Sequence, residues 1–236
     1  MKIIWYNRIE STNSAMEKER DSLVHKEVWA ARLQTAGKGQ KGNVWCSDEG
    51  ANLTFSIYLS HTDLEARHQF MICRAVSLGV CDYLESKGVH AAIKWPNDIY
   101  VADRKICGIL ISHTVSGSKL KDTVAGIGIN LNQSVFPDWI PNPTSLKIIT
   151  GNNYVIEDEL PLLAESVFAE YDNICERTAD RYLDRLYLKD TPHIFTDTAA
   201  GTQFKGVITD VFQDGRLEIK TADGYIRYFA FKEVAY

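Results

Sequence analysis

The sequence lacks the long apolar run that a membrane-spanning helix requires, about 18 residues, and its first residues (MKIIW) do not have the pattern of a cleavable signal peptide. It also lacks an excess of positive charge. The formal net charge is −5 over 236 residues, whereas a general nucleic-acid binder has a basic footprint. These absences predict a protein that works neither in a membrane nor as a general binder of nucleic acids.

Paired cysteine motifs are also missing. The chain has five cysteines with no C-x-x-C spacing, and most of them lie among apolar residues: Cys46, Cys73, Cys81, Cys107 and Cys175. Cysteines of this kind are typical of the reduced core of a cytoplasmic protein and do not favour a structural zinc site. We therefore predict a cytoplasmic protein without a tightly bound metal.

The chain does contain a regular series of strand and helix patterns. Apolar and β-branched runs predict strands at 2–6, 27–34, 52–59, 89–95, 99–101, 105–115 and 123–130. Helical spacing predicts helices at 64–86 and 161–188. Ser14 and Glu17 match a capping box for a short helix, and Gly88 matches the end of the longer one.

The last part of the chain has a different pattern, in which short strands alternate with tight turns. Strands are predicted at 204–211, 216–220 and 225–231. Thr191-Pro192 is the predicted boundary, so the chain divides into units 1–190 and 191–236. A unit of about 45 residues buries little surface alone, and we expect it to lean on the larger unit.

A glycine-rich loop (residues 34–45, QTAGKGQKGNVW) matches the G-x-G-x-x-G pattern of dinucleotide-binding proteins. That pattern needs a helix directly after the last glycine, and the following residues have no helical periodicity. The segment also does not match the phosphate-binding Walker A motif, because it does not end in G-K-[ST]. The loop, which carries Lys38 and Lys41, is therefore either an anion-binding turn between two strands or a surface hairpin with solvated lysines.

Two further segments place polar residues or glycines inside apolar strands. Residues 94–110 (KWPNDIYVADRKICGIL) carry Lys94, Asn97, Asp98 and Lys105, each of which taken singly is more often a turn or surface residue. Lys105 is the exception, because it stands between a turn and an apolar strand. Residues 125–132 (AGIGINLN) interrupt a strand with glycines, which indicates either a bulge or the close approach of a ligand.

Taken in order, the segments STN, QTAGKGQKGNVW, GANLTFSI, KWPNDIYV, DRKICGIL and GIGINLN resemble the biotin–protein ligase family. The resemblance implies an α+β fold with a mixed, largely antiparallel sheet backed by helices, similar to class II aminoacyl-tRNA synthetases. It also implies that the C-terminal unit is a small SH3-like β barrel.

The resemblance implies a function in two steps. Members of this family join biotin to ATP to give biotinyl-5′-AMP, and then transfer the biotinyl group to a lysine of the biotin carboxyl carrier protein. The implied substrates are biotin and ATP with Mg²⁺, and the implied partner is the carrier domain, while monomer and homodimer both remain open. The first step brings two anions together, which requires positioned cations and N–H donors.

The resemblance also assigns roles to residues. Biotin's ureido head is implied to contact Ser11, Thr12, Asn13 and Gln34, and the substrate-binding set further includes Gly37, Lys38, Gly39, Gln40, Trp45, Lys94, Gly108, Ile109, Asn130 and Asn132. Trp45 would close over the intermediate, and the two asparagines would meet the adenine. The implied catalytic residues are Lys105 as the main electrostatic catalyst, Lys38, Asn97 at the phosphate, and Asp98 at the acceptor lysine or the metal.

Gln40 departs from the family pattern, in which many members have arginine at this position and often at that of Lys38. Glutamine has no charge and no guanidinium fork, although its amide can donate. Retention of the adenylate is therefore expected to depend on Lys38, Lys41 and Lys105, with leakage as a consequence. We also expect the loop to be mobile when empty and to order over its ligand.

Three alternatives bear on the function. Only ten residues precede Ser11, too few for the DNA-binding domain of longer members, so we expect an enzyme that does not bind DNA. A lipoate–protein ligase or octanoyl transferase would share the fold, but those families lack the K-W-P-N-D and G-K-G-x-x-G-N-x-W combination. A non-catalytic regulator that binds biotin or its adenylate would have no need of Lys105, Asn97 and Asp98 together.

Overall fold

The computed structural model describes residues 1–61 and 63–236, and for Lys41 the backbone alone. The strands are β1 Lys2–Ile9, β2 Glu27–Gln34, β3 Leu53–Ser60, β4 Ala92–Lys94, β5 Asp98–Val101, β6 Arg104–Ser116, β7 Lys119–Ile129, β8 His193–Asp197, β9 Thr202–Val211, β10 Leu217–Thr221, β11 Ile226–Phe229 and β12 Val234–Ala235. The α-helices are α1 Thr12–Lys18, α2 Phe70–Ser86, α3 Leu146–Thr150, α4 Ile156–Asp172 and α5 Arg177–Asp184. None of the helices in the described ranges has the length and apolar character to cross a membrane.

The larger unit is built on a seven-stranded sheet with the order β1-β2-β3-β7-β6-β5-β4. β1 and β2 are parallel and joined through α1, while the other neighbours are antiparallel, which confirms the predicted mixed, largely antiparallel sheet. β3 is buried along nearly its whole length, as expected for a strand covered on both faces. The helix pair α2 and α4 covers one face, and α1 covers part of the other.

The helices differ from the predictions mainly at their ends. α2 begins at Phe70 rather than at residue 64, because residues 66–68 form a 3-10 turn and Glu65 pairs with Lys119. The predicted helix 161–188 is two helices, α4 and α5, and α4 begins before Pro161 with three acidic residues in its first turn. Negative charge there is favoured by the helix dipole.

The N-terminus of α1 corrects the predicted capping box at Ser14. The cap is Ser11, whose Oγ accepts a hydrogen bond from the backbone N–H of Ser14 at 3.4 Å. The helix therefore begins at Thr12, and Ser11, Thr12 and Asn13 are all buried at its start. This placement turns the first residues of α1 toward the centre of the sheet.

The C-terminal unit is a second sheet of five strands with the order β11-β10-β9-β8-β12, the expected small SH3-like unit. The three predicted strands correspond to β9, β10 and β11. β8 and β12 were not predicted, because β12 has only two residues and β8 has no strong alternation. The boundary at residue 191 stays a prediction.

The second sheet leans on the first, as expected. The Arg74 guanidinium of α2 donates to the carbonyl oxygens of Val211 at 2.5 Å and of Phe212 at 3.1 Å. The Trp95 indole donates to the carbonyl of Gly215 at 2.9 Å, and the ring of Phe231 lies 5.3 Å from that of Trp95. The second sheet thus contacts the segment that carries the K-W-P-N-D motif.

Candidate active site

One cavity of about 170 Å³ brings the three sequence segments together. It lies between the start of α1, the glycine-rich loop and the middle of the sheet. Among the predicted site residues, those that line it are Ser11, Thr12, Asn13, Gln34, Lys38, Gly39, Gln40, Trp45, Asn97, Asp98, Lys105, Gly108 and Ile109. The side chains of Lys38 and Lys105, which come from separate hairpins, therefore face the same cavity.

The inner end of the cavity is a closed hydrogen-bond network, which we call the head end (Thr12, Gln34 and Ser56). The backbone N–H of Thr12 donates to Gln34 Oε1 at 2.7 Å, and the Thr12 hydroxyl lies 3.2 Å from the same oxygen. The Thr12 hydroxyl also bonds Ser56 Oγ at 2.8 Å, and both side chains are almost fully buried. Because Gln34 Oε1 is occupied, the amide nitrogen of Gln34 can donate to a polar group in the cavity.

The outer end of the cavity is covered by the glycine-rich loop, which folds as a tight hairpin rather than leading into an α-helix. The Gly39 N–H donates to the Asn43 carbonyl at 2.7 Å, and the Trp45 N–H donates to the Gly37 carbonyl at 3.0 Å. Gly42 has a φ of +89°, which favours glycine at the turn. The hairpin holds Lys38 over the cavity, while the predicted contribution of the Lys41 side chain lies outside the described part of the chain.

Trp45 explains why glycines interrupt the two central strands. A Cβ atom at Gly108 would lie 3.0 Å from Trp45 Cζ3, and one at Gly128 would collide with the indole. At Gly108 and Gly128 a side chain of the protein itself approaches the backbone, while the predicted close approach of a ligand stays a prediction. The indole Nε1 is buried and has no hydrogen-bond partner among the described residues. Such an N–H is a donor that a bound ligand can satisfy.

Lys105 and Asp98 form an ion pair where β5 and β6 begin. Lys105 Nζ lies 2.7 Å from Asp98 Oδ2, and both side chains are about one-third exposed, at 30% and 33%. Lys105 Nζ is also 5.9 Å from the centre of the Trp45 ring. Asn97, which is buried, donates from Nδ2 to the Ile109 carbonyl, so that its Oδ1 is the atom left for other partners.

A second cavity of about 440 Å³ adjoins the first. The two share Asn43, Val44, Trp45, Asp98 and Lys105. The rest of the second cavity is lined by Cys46, Tyr100, Asn130, Phe136, Trp139, Ile140, Pro141 and Pro143. The site is thus a pair of cavities that meet at Lys105.

The aromatic wall of the second cavity was not predicted. Phe136 and Trp139 lie in a proline-containing segment without helical or strand periodicity, so their joint orientation left no signal in the sequence. Trp139 is nevertheless 63% exposed, so this wall of the second cavity opens to solvent. Burial, reinforced by Asp98, raises the pKa of Tyr100 to about 12, so this phenol is neutral.

Two predicted substrate contacts are not brought to the cavities. Lys94 lies on the edge strand β4, one strand beyond Asp98, and its Nζ donates to the Tyr236 backbone oxygen at 2.5 Å. Burial lowers its pKa, while Asp98 acts in the opposite direction. Asn132 binds the backbone of Tyr154 through both side-chain atoms, at 2.7 Å and 2.8 Å. In this structure their polar atoms bond within the fold and neither residue lines the two cavities, so their contact with substrate stays a prediction.

The remaining predicted residues have intermediate positions. Asn130 lines the second cavity, where its Nδ2 donates to the Thr144 carbonyl at 2.9 Å. Gly37 contributes its carbonyl to the loop hairpin. Sequence reasoning missed Ser56 of the head end, although a serine between two large apolar residues in the middle of β3 is a signal that could have found it.

A profile of the Biotin/lipoate A/B protein ligase family matches residues 5–130 of this chain. The chain belongs to that family. Among the described residues, no group of three or more His, Cys, Asp and Glu side chains is arranged to hold a metal ion.

Several curated proteins resemble the chain. The "Bifunctional ligase/repressor BirA" of Bacillus subtilis is 32% identical over 154 residues, which cover 63% of this chain and 47% of that protein. The "Biotin--[acetyl-CoA-carboxylase] ligase" of Paracoccus denitrificans is 30% identical over 163 residues, 66% of this chain and 68% of that protein. The chain spans about half the length of the BirA proteins that it matches.

Solved structures support the fold. The "Biotin protein ligase from Aquifex aeolicus in complex with biotin and ATP" superposes with a TM-score of 0.79 at 23% identity, covering 99% of this chain and 97% of the other. The biotin acetyl coenzyme A carboxylase synthetase of Helicobacter pylori "with bound Biotinylated ATP" gives a TM-score of 0.62 at 22% identity, with 97% and 99% covered. At these identities the likeness establishes the fold.

Proposed function

We propose that the protein attaches biotin to a lysine of a biotin carboxyl carrier domain through a biotinyl-5′-AMP intermediate. The observation that carries the proposal is the meeting of two cavities at Lys105, one with a polar head end and one with an aromatic wall. An acyl substrate and a nucleotide placed in these cavities would meet at an ammonium group. That arrangement suits the joining of two anions.

In the first step, a carboxylate oxygen of biotin attacks the α-phosphorus of ATP, which arrives with Mg²⁺, and pyrophosphate leaves. Lys105 and Lys38 would neutralise the charge that builds up on the phosphoryl and carboxyl oxygens. The ion pair with Asp98 orients Lys105 before substrate binds. Trp45 Nε1, which lacks a partner, would donate to the bound intermediate.

In the second step, the amine of the carrier lysine attacks the biotinyl carbonyl, and AMP leaves with the bonding electrons. The carrier lysine is an ammonium ion at neutral pH and must lose a proton before its amine can attack. Asp98 lies on the rim shared by both cavities and is one-third exposed, so it is the carboxylate placed to orient this amine and receive its proton.

The head end supports a ligand with a compact polar group. Gln34 Nε2 and the hydroxyls of Thr12 and Ser56 offer donors and acceptors within a buried region, which is what a ureido ring requires. We propose that Ser11 and Asn13 complete this set. Asn130 is proposed to face the nucleotide from the second cavity.

The test is direct. Incubation with labelled biotin, ATP–Mg²⁺ and an apo biotin carboxyl carrier domain is expected to place the label on one carrier lysine. Parallel reactions with lipoate and with octanoate distinguish the other branches of the family, because a lipoate ligase would label a lipoyl domain instead. If the protein binds biotin but no label appears on the carrier and no pyrophosphate is released, the protein is a binding protein and the proposal is overturned.

A further inference from the structure

A tight turn of the second sheet, which we call the 230–233 turn, reaches both motifs of the site. The Glu233 N–H donates to the Ala230 carbonyl at 3.1 Å, and the Ala230 N–H donates to Glu233 Oε2 at 2.7 Å. The Thr198 hydroxyl donates to the Lys232 carbonyl at 2.6 Å. The turn is therefore held by the second sheet and not by the site.

Phe231 fixes this turn against the larger unit. Its ring lies 5.3 Å from that of Trp95 and 5.9 Å from that of Phe70. Trp95 is buried and precedes Asn97 and Asp98 by only two and three residues. The backbone of the 230–233 turn thus has a set position relative to the catalytic motif.

Lys232 extends from the same turn to the glycine-rich loop. Its Nζ donates to the backbone carbonyl of Gln40 at 3.3 Å, a contact between residues 192 positions apart. Lys232 has a φ of +70°, a left-handed conformation that lysine rarely adopts. Such conformations persist where the surroundings impose them and often mark a functional position. Among the described ion pairs, none involves Lys232, so its charge is not neutralised by a carboxylate in them.

Gln40 is at the tip of the loop hairpin. A hydrogen bond from another part of the protein to this tip restricts the movement of the loop more than one near its base. The hydrogen bonds within the hairpin join Gly39 to Asn43 and Trp45 to Gly37. They define the shape of the hairpin but do not fix its position over the cavity. The 3-10 turn Gln40–Gly42 ends in a glycine, and Gln40 is only partly buried. A bond from the second sheet to the tip therefore favours the closed position of the whole loop, including Lys38.

We propose that Lys232 is a positioning residue that latches the glycine-rich loop closed from the second sheet and so retains the acyl-adenylate in the cavity. This inference rests on the proposed function. A mixed anhydride is hydrolysed by water and lost by diffusion, and a closed loop slows both. The latch also places a positive charge beside position 40, where this chain has an uncharged glutamine.

The experiment compares Lys232→Asn with Lys232→Arg. Asparagine tolerates a positive φ but cannot reach Gln40, whereas arginine keeps both the charge and the reach. Lys220→Gln, on the exposed side of β10, is the matched control. Biotinyl-AMP is formed on each protein, and its release is followed after dilution into a trap. We expect about threefold faster release from Lys232→Asn, the size typical of an exposed charged contact, and near-normal release from Lys232→Arg and the control.

Two further measurements separate the latch from other causes. Biotin affinity and the melting temperature should be the same in all four proteins, since the head end does not involve Lys232. Tryptic cleavage after Lys38 in the ligand-free protein should be faster in Lys232→Asn, and this readout needs no adenylate. If the unmodified protein forms no adenylate, the proposed function fails while the cleavage assay still tests the latch. Equal release and equal cleavage in Lys232→Asn and the control would overturn the latch alone.

Discussion

The two ends of the cavity are built differently. At the head end, Thr12, Gln34 and Ser56 are bonded to one another in a buried network before any ligand arrives. At the loop end, Lys38 stands on a glycine hairpin, and the Trp45 indole N–H has no partner among the described residues. The first arrangement is preorganised, and the second is completed by its ligand. Binding and chemistry are therefore expected to respond to different substitutions.

The largest effect that separates the two ends is expected for Lys105→Ala. Removing a charged donor from the point where the cavities meet should reduce the biotin-dependent exchange of labelled pyrophosphate into ATP by about 10²–10³-fold. Biotin affinity should change little, because the head end is intact. Calorimetric titration with biotin alongside the exchange assay checks both. A matching loss of biotin affinity would mean that Lys105 holds the substrate and does not act in the reaction.

The converse substitution is Thr12→Val, which removes the central hydroxyl of the head end. Ser56 Oγ then loses its 2.8 Å partner in a fully buried position, at a cost of about 1–3 kcal/mol. We expect biotin affinity to fall by about tenfold or more, while the adenylation rate at saturating biotin stays close to normal. Thr209→Val in the second sheet is the control. A fall in the saturated rate with unchanged affinity would reverse the assignment of the two ends.

The difference between the head end and the loop end could be predicted only where the residues concerned lie in a recognisable sequence motif. Lys38, Asn97, Asp98 and Lys105 lie inside the motifs that carry the family resemblance, so the resemblance implied their shared site, and the structure places all four on one cavity. Local patterns do not contain the direction of a side chain on an edge strand, so the bond from Lys94 to the Tyr236 backbone could not be predicted.

Contacts between distant parts of the chain were also beyond the sequence. Trp139 and Phe136 meet the site through an irregular segment, and Lys232 meets Gln40 through the folding of a second sheet. Periodicity describes one element at a time. It identifies the strands that build the two sheets but not the approach of one sheet to a loop of the other.

A smaller effect on the loop end alone is expected for Gly128→Ala. A Cβ atom at this position would collide with the Trp45 indole and displace it from the sheet. We expect about a tenfold loss of catalytic efficiency, with biotin bound nearly as well as before. The control is the double variant Gly128→Ala/Trp45→Phe. If the two residues act through their contact, the loss in the double variant is not the sum of the two single losses. Additive losses in the double variant would show that Gly128 acts independently of Trp45.

The smallest effect concerns a buried polar cluster that joins the residues after α1 to β6 and β7. Arg20, two residues after α1, donates to Thr114 at 2.8 Å and to the buried carboxylate of Asp122. His113 lies in the same polar cluster, 2.8 Å from Thr123 Oγ1. Burial, followed by the nearby charges of His61 and Arg20, lowers the pKa of His113 to about 4. The imidazole is therefore neutral in the folded protein at neutral pH.

His113 in this polar cluster makes the stability of the fold depend on pH. Between pH 6.5 and about 4 the unfolded chain binds the His113 proton and the folded chain does not, so the free energy of unfolding falls as the pH is lowered through that window. We expect a loss on the order of 1–2 kcal/mol from this residue at pH 5 relative to pH 7.5. His113→Gln keeps a hydrogen-bonding group near Thr123 without titrating, and urea unfolding at both pH values should give it a flatter profile. An unchanged slope in this variant would place the acid sensitivity elsewhere, with His61, whose pKa is also lowered by burial, as the next residue to replace.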